Sequence, residues 1–180
     1  MLLGEIEATF PCGHRLPQPI VEICCFFEEH GYPISGCFEL STIGMEQLKG
    51  WFGGDPIAYG QFLPFGRGAC GDIYALWLKD GLVPDNAPVV MFGSEGELVV
   101  LALNATQFCR LLCLGYSEIG LDDPASLPSE YEQTDAFRRC MLNKYDFELP
   151  STALPIMEEA QAQYPSFAIW VDSHPSRRCA

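Results

Sequence analysis

The first strong periodicity along the chain is the set Leu16, Ile20, Val21, Cys24 and Phe27, which recurs at helical spacing. Pro17 and Pro19 suit a first turn and Gly31 followed by Pro33 supplies a stop, so a helix is predicted over about residues 18–30. The period then shortens. Cys37 to Ile43 is strand-like, and Met45 to Phe52 sets Leu48, Trp51 and Phe52 on one side of a short segment. Gly53-Gly54-Asp55-Pro56 closes it as a turn, because glycine favours φ > 0 and proline blocks helix continuation. Tyr59 to Phe65, Asp72 to Leu78, Ala87 to Phe92 and Glu97 to Leu103 follow as short apolar or aromatic runs between Gly-, Asp-, Asn- and Pro-rich segments. That alternation predicts an antiparallel meander. Leu98 to Leu103 is apolar at successive positions, which predicts a central strand covered on both faces and entered through the hairpin turn Gly93-Ser94-Glu95-Gly96.

Helical spacing returns at Asn104, which with Gln107 has the form of a helix start. Phe108, Leu111 and Leu112 form its apolar stripe and Gly115 ends it. Leu121 to Pro128 reads as a loop, Ser129 with Glu132 as a capping box, and Phe137, Cys140 and Met141 as the buried face of a third helix. A fourth helix is expected from about Pro155 to Gln163, a last edge strand over Phe167 to Val171, and a frayed tail from His174 to Ala180. Without internal repeats or linkers, this is the pattern of one α+β domain over residues 1–180, with a helical extension over 115–180 packed on its core.

Composition agrees with a chain that folds alone, at 48% hydrophobic and 19% charged residues. No apolar run approaches the roughly 20 residues of a membrane span. The amino terminus carries Glu5 and Glu7 and no basic leader, so a cytoplasmic protein without membrane association is expected. Charge changes the picture more. Against 24 acidic residues stand 10 Lys and Arg, a net charge of -14 that repels nucleic acid and anionic lipid and attracts cationic partners. The plainer reading of the same charge is solubility. Nine cysteines, an odd number partly set in apolar helical runs (Cys24, Cys25, Cys109, Cys113), read as reduced thiols acting as small hydrophobes.

Gly66-Arg67-Gly68-Ala69-Cys70-Gly71 matches the dinucleotide pattern G-x-G-x-x-G, but it leads into the strand-like run Asp72 to Leu78. Without a helix there is no fan of N–H groups to hold a pyrophosphate, so a glycine-rich hairpin loop is the better account. Cys12-Gly13-His14 brings two metal-capable side chains close, with no C-x-x-C pair to complete a zinc set and with His30 and His174 isolated. Asp80, Asp85 and Asn86 do not follow the calcium-loop pattern. A cysteine nucleophile would need a histidine and an orienting group assembled by folding. No metal, no cofactor and no catalytic residue are therefore expected.

Several segments in series carry a family resemblance: Leu16-Pro17 before a helix ending at Gly31, Pro33 to Leu40, and Phe62 to Leu76 with its Gly71-Asp72-Ile73-Tyr74 strand entry. After them come Pro88 to Phe92, Leu98 to Leu103, and the Gln107-Phe108 helix. In that order and spacing, over residues 16–114, the chain resembles the SUKH superfamily, which includes a yeast cell-wall synthesis regulator and many bacterial immunity proteins. It differs in inserting the Trp51 to Pro56 region before the Gly-Asp strand and in starting its Leu-Pro helix close to the amino terminus. The resemblance implies a curved antiparallel sheet of about five to six strands with helices packed on one side. It also implies a non-catalytic role in binding and neutralising a cognate toxin, often a nuclease or nucleic-acid deaminase.

Charge suits that role, since an acidic inhibitor is steered onto the basic cleft of an enzyme that processes nucleic acid. The partner is thus expected to be a basic toxin domain and not nucleic acid or membrane, with the chain a monomer or weak homodimer. Trp51, Asp55, Asp85, Glu95 and Glu97 are the expected contact residues, because they lie in or beside loops joining the predicted strands. Trp51 alternatively packs over the sheet, and Asp72 is expected to be structural. The competing functions are a scaffold or regulator with an unrelated partner, and a small enzyme with a cysteine nucleophile.

Overall fold

A computed structural model describes residues 2–31, 34–35, 37–128 and 132–174, with the side chains of Glu132 and Gln133 left out. Five strands, β1 (Glu39–Leu40), β2 (Phe62–Arg67), β3 (Ile73–Trp77), β4 (Val89–Phe92) and β5 (Leu98–Ala102), form one open antiparallel sheet in sequential order. The helices among the described residues are α1 (Leu2–Glu7), α2 (Gln18–His30), α3 (Pro56–Tyr59), α4 (Ala105–Leu112), α5 (Glu132–Lys144), α6 (Leu154–Gln163) and α7 (Phe167–Asp172). The expected α+β class and antiparallel sheet are what the chain adopts.

Side chains on a strand alternate between faces, and here each face meets its own core. Leu63, Phe65, Tyr74, Leu76, Val89 and Met91 pack with Ile20 and Ile23 of α2, Phe108 and Leu112 of α4, and Phe137 and Met141 of α5. Phe62, Ala75, Trp77, Val90 and Phe92 point the other way, onto Leu48, Phe52, Ala58, Phe167 and Val171. Helices on one side was the expectation; the second face is covered too, by the 3-10 segment Met45–Phe52, α3 and α7.

Two further expectations are corrected. The run Phe167 to Val171 is a helix, with Phe167 and Val171 buried and Ile169 72% exposed, as helical spacing requires of residues i, i+4 and i+2. A five-residue apolar run is too short for its period to separate the two structures. β5 is covered on both faces but lies at the sheet edge, where α6 straddles it: Ile156 and Met157 enter the first core and Ala160 the second. The amino-terminal helix α1, which buries Ile6, had no counterpart in the periodicity. Ser129, the start of the expected capping box, lies outside the described residues.

The glycine motif joins β2 to β3 as a hairpin loop. Gly68 N–H donates to Asp72 O at 3.0 Å, Gly71 takes φ +95°, and a Cβ on Gly66 would lie 2.5 Å from the Phe38 ring. At α4 the Asn104 side chain accepts from Gln107 N–H at 3.0 Å, while the Gln107 side chain accepts from Leu103 N–H at 3.0 Å.

The segment after α4 is fastened by the buried Tyr116, whose hydroxyl donates to Ser126 O at 2.6 Å and accepts from the buried Ala153 N–H at 2.9 Å. Tyr116→Phe strips both partners of their bond, so a loss of about 1–3 kcal/mol in unfolding free energy is expected from urea titration. An unchanged midpoint would mean that water reaches Ala153 in the folded chain.

Candidate functional site

The β2–β3 and β4–β5 hairpins turn at the same end of the sheet, and the acidic residues of three segments meet there. Asp72, only 3% exposed, accepts from Ser94 N–H at 2.9 Å and ties one hairpin to the other. This is the structural role expected of it. In the β4–β5 turn, the Glu97 carboxylate accepts from Glu95 N–H at 3.2 Å, which holds both glutamates on one short loop. The third segment follows α4. Ser117 O accepts from Cys37 N–H at 2.9 Å and Ile119 O accepts from the Tyr74 hydroxyl at 2.9 Å, so the loop is pinned to the sheet by its backbone. Its carboxylates face outward as a self-bonded set: Asp122 accepts from Glu118 N–H at 2.8 Å, and Asp123 from the Ser126 hydroxyl at 2.7 Å. The bonds from Ser126 and from Ala125 N–H hold the Asp123 carboxyl below the usual range.

The exposed thiol of Cys70 registers the gathering. Its pKa is raised first by the charge of Glu118, then by partial desolvation, and then by Asp72, Cys37 and Glu95. Burial, followed by Asp72 and Glu118, likewise raises the Tyr74 phenol. Arg67 is the cation at this end of β2, and its guanidinium is turned to the Gln47 side chain at 2.5 Å. Elsewhere among the described residues Arg15 is engaged with Glu7, Arg138 with Asp135, Lys144 with Glu22, and Arg110 with the Glu148 carbonyl. None of the described ion pairs involves Glu95, Glu97, Glu118, Asp122 or Asp123.

Three of the five residues expected to make contact fall near one another. Glu95 and Glu97 share the turn, and half-buried Trp51 packs edge-on against Phe92, the last residue of β4, with centroids 5.3 Å apart. Asp85 lies in the 3-10 turn Pro84–Asn86 between β3 and β4, at the opposite end of the strands. Asp55 accepts from Ile57 N–H at 2.9 Å and caps α3, which is sufficient reason for its place in the sequence. The residues missing from that expectation are Glu118, Asp122 and Asp123. No local pattern marks them, because only the tertiary bonds of Ser117 and Ile119 carry their loop to the hairpins.

A polar recess of about 270 Å³ opens beside this loop, lined by Tyr116, Ser117, Asp122, Asp123, Ser126 and Leu127, and Leu127 is 77% exposed at its rim. Such an arrangement can bind cationic groups and an apolar side chain. The described cysteines make no hydrogen bond to histidine, and no group of three His, Cys, Asp or Glu among the described residues is placed to hold a metal.

The thiols of Cys24, Cys70, Cys109 and Cys113 are pushed up, Cys24 and Cys113 to about 12 by burial. A raised thiol pKa means that the folded state retains protons the unfolded chain releases. The stability held in this way is complete below the ordinary thiol value of 9.0 and is lost as pH rises toward 12. Alkylation of Cys24 and Cys113 in the native protein is expected to be far slower than in urea at pH 8, with denaturant midpoints falling above pH 9. Fast alkylation of either residue near neutral pH would favour the cysteine-nucleophile reading. No protein-family model matches the chain, and no curated protein or solved structure gives a significant match. No helix among the described residues is long and apolar enough to cross a membrane.

Proposed function

We propose that this chain is a non-catalytic binding protein whose acidic hairpin end engages a basic protein partner. The observation that carries the reading is the gathering of Glu95, Glu97, Glu118 and Asp122 from separate segments around Cys70 and Tyr74 at one end of the sheet, none of them in a described ion pair. In a chain with a net charge of -14, this adds a local concentration of negative charge that can guide a cationic partner. Trp51 and Leu127, at the margins, supply the apolar contacts from which affinity is drawn once charge has guided encounter.

Following the SUKH resemblance, the partner is a basic toxin domain acting on nucleic acid, and the chain is the immunity protein that occludes its cleft. A reducing, cytoplasmic setting fits the eight described cysteines, all of which are unpaired thiols. Burial holds the Cys24, Cys109 and Cys113 thiols protonated, which weighs against these three as nucleophiles.

The test is capture from lysate of the source organism with this protein as bait, at low salt because screening weakens charge-guided contacts. Recovery of a basic toxin domain supports the proposal. Recovery of an acidic or uncharged housekeeping protein supports the scaffold alternative instead.

A further inference from the structure

Two of the described cysteines stand where the hairpin end is assembled. β1 and β2 pair Leu40 with Gly66 and Glu39 with Arg67, so each step back along β1 is matched by a step toward the β2–β3 turn. Carried two residues further, that register sets Cys37 opposite Ala69, the neighbour of Cys70. One residue along an antiparallel partner the Cα separation is about 6 Å, within the roughly 4.4–6.8 Å that a disulfide spans. Both cysteines lie on turns and not inside a strand or helix: Phe38 N–H donates to Ser35 O at 3.2 Å, Gly71 N–H donates to Gly68 O at 3.2 Å, and Gly71 takes φ +95°. The Cys70 thiol is exposed and that of Cys37 half-buried, and charge on Cys37 is felt at both Cys70 and the Tyr74 phenol.

We propose that Cys37 and Cys70 are a reversible dithiol–disulfide pair, oxidised by a low-molecular-weight disulfide. The exposed Cys70 thiolate attacks one sulfur of the small disulfide and expels the other half as a thiolate, leaving a mixed disulfide on the chain. The Cys37 thiolate then attacks the Cys70 sulfur, and the second half leaves. One small disulfide is reduced to two thiols, the two cysteines are oxidised to one disulfide, and their protons pass to the departing thiolates. Transient bonds of this kind are the ones a reducing compartment permits. The other thiols are placed differently. Cys24, Cys109 and Cys113 are buried. Cys25 and Cys140 both lie near Lys144, but on helices α2 and α5, whose spacing is fixed by the Phe26 ring against Phe137 and by the Glu22–Lys144 ion pair.

Closing the bond ties the β2–β3 turn to the segment whose Cys37 N–H donates to Ser117 O at 2.9 Å, so it bears directly on the loop that carries Glu118. The carboxylates of Glu118, Asp72 and Glu95 lie around Cys70 and favour a cationic disulfide over an anionic one. The probe is therefore cystamine, whose two ammonium groups flank its disulfide. The full chain is treated with it, quenched in acid and alkylated, and its disulfides are located by mass spectrometry after digestion without reductant. The first stable product is expected to be the chain less two hydrogens, linked between Cys37 and Cys70 and restored by dithiothreitol. Cys37→Ser should stop at the mixed disulfide on Cys70. Cys70→Ser should lose the linked product and take up cystamine at Cys37 at least about tenfold more slowly than the parent does at Cys70.

A parent chain that halts at the mixed disulfide as Cys37→Ser does, a Cys25–Cys140 link that forms as fast, or a Cys37–Cys70 link that appears only in urea overturns the pairing. No partner enters this experiment, so its result is independent of the lysate capture.

Discussion

Replacing Phe167 by alanine is expected to cost about 3–5 kcal/mol of unfolding free energy, the range for removing a large aromatic side chain from a packed core. For a chain of this length that lowers Tm by roughly 6–20 °C. Phe167 stands at the centre of the second core, with ring centroids 5.0 Å from Trp77 and 5.8 Å from Phe92. Trp170, one turn on, lies 5.3 Å from Trp77 and 5.8 Å from Phe52. The carboxy-terminal helices are thus a wall of the core, and truncating them would leave Phe62, Trp77 and Phe92 open to water. The contrast with Ile169 makes the experiment decisive. In α7 that side chain is 72% exposed, so Ile169→Ala should stay within about 0.5 kcal/mol of the parent. A strand would instead place residues 167, 169 and 171 on one face, and the alanine variants at 167 and 169 would then cost alike. Urea titration of the two variants, with unchanged m values, separates these outcomes.

That contrast also marks how much could be read from the sequence. The helix over Gln18–His30 and the strands β3, β4 and β5 were legible because each carries a full period and a chemically specific end. Asn104 and Gln107 announced their reciprocal bonds from spacing alone. The 3-10 segment Met45–Phe52 was legible as a one-sided apolar stretch, though its face could be assigned only once Phe52 was seen against Phe62. What stayed hidden was tertiary. A continuous apolar run such as Leu98 to Leu103 reports that both faces are covered, but the covering can come from a helix at an edge as well as from flanking strands. The acidic end was half legible: Glu95 and Glu97 follow from the hairpin, whereas Glu118 arrives through bonds made by its neighbours' backbone, which no side-chain pattern encodes.

The second large effect is kinetic, and it tests whether the acidic end acts as a site or only as charge. Glu95→Lys, Glu97→Lys and Glu118→Lys together move the net charge from -14 to -8, because each reversal adds two units. A control with Glu5, Asp85 and Asp146 reversed reaches the same -8 from exposed positions elsewhere on the chain. If charge serves solubility alone, the two triple variants behave identically. If the hairpin end steers a basic partner, reversing it should lower the association rate with the captured protein by about 10–100-fold at low ionic strength, and the control should change it far less. The wild-type rate should itself fall steeply as salt is raised toward 0.15 M, where the screening length is only about 8 Å, while the dissociation rate moves little. The hairpin-end variant should have lost that slope, because the charges that produced it are gone. Equal rates for the two variants, or a wild-type association rate indifferent to salt, would remove the hairpin end as the origin of encounter and leave Trp51 and Leu127 to account for recognition by packing alone.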